Sequence, residues 1–112
     1  MIKNKLMISC FHPVPKLDQD TLIIACPIMI HNYGLPYYLE GFAYMRATYP
    51  ALALEFAVPA HQDVGLALRA LAAGLKQVYF DLKAPAWDQL KQMAATYGAE
   101  LRDQGELHGY LD

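Results

Sequence analysis

Apolar positions along the chain recur at two different spacings, and breaker residues mark the switches between them. In the stretch 36–49, Tyr38, Phe42, Met45 and Tyr49 fall at i, i+4, i+7 and i+11, which predicts one stripe of a helix. In 86–97, Trp87, Leu90, Ala94 and Tyr97 form the inward stripe of a second helix, and Asp88, Gln89, Lys91 and Gln92 its outward face. A third helix is predicted over 62–73. Its core stripe is read as Val64, Leu68 and Leu71, with Leu66, Ala67, Ala70 and Ala73 outside it. The runs LIIACPIMI (22–30) and ALALEFAV (51–58) are nearly unbroken apolar segments, the pattern of strands covered on both faces.

Pro50, Gly74 and Gly98 stand 24 residues apart, each after a helix-like stretch and before a strand-like one. Glycine supplies the left-handed conformation that closes a helix, and proline cannot continue one. Helix starts agree: Pro36 and Pro85 fall near first helical positions, and Asp63 places a negative charge in a first turn. The order is therefore β-α-β-α-β-α-β, an α/β domain over 21–112. It predicts a three-layer open sheet of about four parallel strands with right-handed crossovers. Residues 1–20, with Pro13 and Pro15, read as an irregular arm carrying at most a short edge strand at 4–9. Repeated βα units of this kind occur in βα-barrels and in open doubly wound sheets, and four strands cannot close a barrel of eight.

Composition narrows the classes further. Charged residues are 18% of the 112, and the net charge is −2, so no basic field draws the chain to nucleic acid or an anionic membrane. The longest apolar run is about half of what a membrane-spanning helix requires. Leu6, Met7 and Ile8 are too short a stretch for a secretory signal, and a cytoplasmic location is expected. Cys10 and Cys26 do not make a disulfide framework, and Cys26 reads as a small core residue.

Two helices carry more apolar surface than one sheet face can cover. Glu40, Arg46 and Glu55 are the only formal charges between positions 21 and 62, and Tyr37 and Tyr44 lie off the inward stripe of 36–49. A homo-oligomer through helices 36–49 and 62–73 is the expected partner arrangement.

Ligands of open parallel sheets bind beyond the carboxyl ends of the strands. The residues expected there are His31, Asn32, His61, Asp63 and Asp81, with Gln62 and Lys83 beside them. Two readings follow. One is a non-catalytic ligand-binding or assembly module with a polar rim. The other is a small lyase, isomerase or hydrolase in which His61 and Asp81 act as an acid–base pair, with His31 in support and with or without a divalent metal. Nucleotide cofactors of the dinucleotide or P-loop kind are not expected, because HNYGLP, PAHQD and DLKAP all lack the glycine-rich phosphate turn, and the sequence names no other cofactor. The one serine, Ser9, lies outside this set. Glu55, inside an apolar strand, calls for a partner such as Arg46 or Arg69, or for a functional role.

Overall fold

The most apolar stretch of the chain is also its least exposed. In the computed structural model, which describes residues 4–107, all five residues of Thr21–Ala25 are buried. That strand, β2, pairs in parallel with β1 (Asn4–Ile8), and three further strands follow: β3 (Leu54–His61), β4 (Gln77–Phe80) and β5 (Glu100–Asp103). They form one parallel sheet in the order β1-β2-β3-β4-β5, interleaved with helices, as the α/β reading predicts, and the N-terminal edge strand is its fifth member. The helices are α1 (Met29–Tyr33), α2 (Leu35–Thr48), α3 (Val64–Ala72) and α4 (Trp87–Thr96), and a 3-10 turn (Gln104–Leu107) follows β5. Among the described residues no helix is long and apolar enough to cross a membrane.

The apolar run 22–30 is not one strand. Cys26 still donates its N–H to the Ile8 carbonyl at 3.1 Å, but Pro27 has no N–H for the ladder, and the chain turns into α1. Cys26 is consequently half-buried rather than a core residue. The second run is also shifted, because 51–53 form a turn and the strand continues to His61.

Residue contacts divide the chain into two units, one ending at Phe56 and one beginning at Ala57. In the second unit, two helices end in the same way. Gly74 and Gly98 have φ of +91° and +70°. Gly74 N–H donates to Leu71 and Leu75 N–H to Ala70; Gly98 N–H donates to Ala95 and Ala99 N–H to Ala94. Each pair is the double hydrogen bond that satisfies the last carbonyls of a helix and reverses the chain into a strand. In the first unit Pro50 does the equivalent work by exclusion, directly after Tyr49 N–H donates to Met45. The α3 face differs from the expected one. Leu66, Ala67, Ala70 and Leu71 are buried, Val64 is exposed and Leu68 is half-buried. Asp63 caps the helix by accepting from Leu66 N–H, while packing decides which face is buried, the choice that the apolar spacing alone left ambiguous.

The first unit solves a different problem. Its β1-to-β2 connection contains no helix, so the backbone of 9–20 lacks a hydrogen-bond ladder of its own. The tyrosines of α2 supply partners. Tyr38 Oη donates to the Ser9 carbonyl, Tyr37 Oη accepts from Phe11 N–H at 2.9 Å, and Tyr49 Oη accepts from Leu17 N–H at 3.2 Å while donating to the Pro15 carbonyl at 2.7 Å. Burial pushes the Tyr38 phenol far above its ordinary range, so it remains a donor at every physiological pH. Phe11 is buried against Tyr37 and Tyr38 at centroid separations of 5.7 and 5.8 Å. On the sheet side, Tyr38 and Met45 are fully buried and Phe42 stacks on Phe56 at 5.1 Å, the stripe expected from the spacing. Thr21 is the one buried polar residue of the described chain; its hydroxyl donates to the Gln19 carbonyl and accepts from Asn4 Nδ2.

Gly41 is what lets the arm lie so close. A Cβ at that position would collide with three ring atoms of Phe11. Gly41→Ala should therefore lower stability by about 1–3 kcal/mol through overpacking, overriding the gain of about 1 kcal/mol that alanine brings to a helix interior. In a Phe11→Ala background the same change should become stabilising. Urea unfolding of the four proteins measures both signs, and a stabilised Gly41→Ala single variant would refute the clamp.

Candidate functional site

The polar rim of the second unit is assembled from the ends of β3 and β4. Pro59 pairs with Tyr79 and His61 with Phe80, so Ala60 is an extra residue in β3. Because strand side chains alternate between faces, one inserted residue reverses the side that His61 presents. The buried run of β3 ends at Ala60, and His61 is exposed with φ of +54°. Its backbone is held from two sides. His61 N–H donates to Gln104 Oε1 at 2.6 Å, and the His61 carbonyl accepts from Asp81 N–H at 2.8 Å. A histidine kept in the left-handed region by two such bonds is backbone strain located at the rim itself.

Asp81 is the fixed charge of the group. Oδ2 accepts from Gln62 Nε2 at 2.7 Å and Oδ1 from Lys83 N–H at 2.9 Å. The Gln62 bond, followed by the Lys83 amide, holds the carboxyl below the usual aspartate range; desolvation opposes them, and the neighbouring His61 and Lys83 add lesser lowering contributions. Asp81 is thus oriented by an amide side chain and a backbone N–H. Among the described residues no imidazole shares its carboxylate, so the expected orientation of His61 by Asp81 is not built as a hydrogen bond.

The other candidates separate by role. Asp63 is the cap of α3, the structural part expected for a helix-start charge. His31 and Asn32 do not follow a strand directly; they lie on α1, both exposed, and Asn32 Nδ2 bonds locally to Met29 Sδ at 3.8 Å. They belong to the first unit, whereas His61, Asp63 and Asp81 belong to the second. Among the described residues no three His, Cys, Asp or Glu side chains form a group able to hold a metal ion. Glu55 is half-buried in β3 and has a partner. Gln104 is the rim residue that the sequence did not point to, because it acts only once β5 has carried the chain back alongside β4. The sheet also has no point at which strand order reverses, so it lacks the crevice of doubly wound folds, and any ligand here is held by the strand-end loops.

Compared with known families, curated proteins and solved structures, the chain has no significant match.

The Asp81 contacts give a pH dependence with a definite sign. A carboxyl depressed in the folded state adds stability above its unfolded value, near 4, and that stability is lost as pH falls through the lower folded value. A carboxyl-carbon NMR titration should find Asp81 still ionised at a pH where unfolded aspartate is half protonated. In Gln62→Ala the midpoint should move up; a midpoint unchanged by the substitution would show that the amide does not hold it.

Proposed function

We propose that the protein is a self-associating, non-catalytic binding module whose small-molecule ligand is met at the rim of His61, Gln62, Asp81 and Lys83. The observation carrying this reading is the engagement of Asp81. Its carboxylate is held ionised and aimed by Gln62 and the Lys83 amide, which suits a fixed acceptor for a ligand donor and not a group that orients a base in proton transfer. The exposed His61 imidazole and Lys83 ammonium then offer complementary donors, so a small molecule with both donor and carboxylate character fits the set. Two free cysteines, Cys10 exposed and Cys26 half-buried, accord with a reducing cytoplasmic setting.

Self-association through α2 and α3 belongs to the same proposal but rests on less surface than the sequence implies. The off-stripe Tyr37 is half-buried and bonded to the arm, and the alanine-rich side of α3 is its buried face. Tyr44, 60% exposed, and Val64, 38% exposed, are what support it.

The acid–base reading draws support from a different observation, the left-handed backbone of His61 beside a bulge, since both features concentrate at catalytic sites. A thermal-shift screen of amino acids, small carboxylic acids and sugars should find a stabilising ligand whose effect is lost in Asp81→Asn and His61→Ala. A ligand that stabilises all three proteins equally would remove the rim from the proposal, and turnover of the ligand abolished by His61→Ala would favour the acid–base reading. Sedimentation velocity at micromolar concentration should show a species heavier than the 12.6 kDa protomer. A single 12.6 kDa boundary would end the self-association part.

A further inference from the structure

The first unit holds a groove of about 480 Å³, lined by Phe11, His12, Val14, Tyr37, Glu40, Gly41 and Tyr44. That size falls within the range of small-molecule sites. Its walls are built rather than incidental. Phe11 is pinned by the absence of a side chain at Gly41, and its N–H donates to Tyr37 Oη. The Tyr37 ring is stacked on Tyr33 at 4.6 Å and edge-on to Tyr38 at 5.3 Å. Tyr44 forms the outer wall and is largely exposed.

One charged carboxylate faces this aromatic surface. Glu40 makes no ion pair among the described residues. Arg46, the other charge of α2, is directed elsewhere, with its guanidinium 5.9 Å from the centre of the Phe42 ring. Three aromatic rings and a carboxylate favour the same kind of occupant. Ring faces carry negative electrostatic character and attract cations, and Glu40 completes the charge pairing. An anion would meet repulsion from both and find His12 as the one lining imidazole to donate to it, and a neutral apolar molecule would strip water from Glu40 without giving it a partner.

We infer that this groove is a binding site for a small organic cation, an alkylammonium group seated against Tyr37 and Tyr44, above the buried Phe11, with Glu40 as its counter-charge. The ammonium can belong to a free small molecule or to a lysine side chain of a peptide. This site is independent of the polar rim in the second unit.

Tyrosine-ring NMR shifts followed during titration test it, with choline, a capped Ala-Lys-Ala peptide and the uncharged choline isostere 3,3-dimethylbutanol as probes. A second copy resting on Tyr44 would compete, so the protein is kept dilute enough to sediment as the 12.6 kDa protomer. At least one charged probe should bind about fivefold or more tightly than the isostere, and Glu40→Gln and Tyr44→Ala should each weaken it by about fivefold. Arg46→Gln, on the same helix outside the groove, should leave the affinity unchanged. The tighter of choline and the peptide identifies the source of the ammonium. Binding of neither charged probe more tightly than the isostere, no binding of either charged probe at millimolar concentration, or an affinity unaltered in Glu40→Gln would each overturn the proposal. Both surface substitutions lie at exposed positions, so loss of binding with an unchanged thermal midpoint reports on the groove and not on folding.

Discussion

A parallel strand pair joined without a helix leaves a stretch of backbone that neither ladder nor helix satisfies, and the first unit is organised around that deficit. The phenols of Tyr37, Tyr38 and Tyr49 supply the partners, reaching from α2 to the backbone between Ser9 and Leu17. An unsatisfied buried peptide group costs about 1–3 kcal/mol, so for the buried Phe11 the bond to Tyr37 matters more by what its loss would leave unpaired than by what it adds. The tyrosine is suited to the task because its ring fills the apolar layer while its hydroxyl reaches past it. Once the arm is fixed in this way, Phe11 lies over Gly41, and the aromatic groove beside it follows from the same packing.

The second unit owes its order to a different device, the closure of each helix by a glycine that turns the chain back into a strand. Here the sheet ends carry the polar chemistry. Asp81 faces an amide and a backbone donor, and His61 is held by its own main chain, so the rim is rigid at the backbone and open at the side chains. This contrast between a fixed acceptor and an exposed imidazole is the ground on which recognition, rather than proton transfer, is proposed.

Much of the architecture was legible because breakers and apolar spacing agree: Gly74, Gly98 and Pro50 stand where helices end, and Trp87–Thr96 has the outward face its charges imply. Boundaries failed where proline acts inside an apolar run. Pro27 ends β2 early, whereas Pro59 lies within β3 next to a bulge, and composition does not distinguish the two. The face of α3 differs from the expected one because Val, Leu and Ala fill nearly its whole circumference, leaving the choice of buried side to packing. The candidate site was only half legible. His61 and Asp81 do share a rim, but their link through Gln62 and Gln104 depends on tertiary placement, and of the two off-stripe tyrosines of α2, Tyr37 bonds to the chain's own arm while Tyr44 is exposed.

The recurrence of one helix-ending geometry at a fixed interval also bears on how such a chain can change. In the second unit, β4 and α4 make one strand-helix cassette: it begins after one left-handed glycine and closes at another, and the strand that follows pairs in parallel. A duplicated cassette inserted at either seam would meet a neighbour with compatible direction and spacing. Growth by repetition is therefore open to this unit, whereas the tyrosine-tethered arm, whose contacts are each unique, admits no such copying.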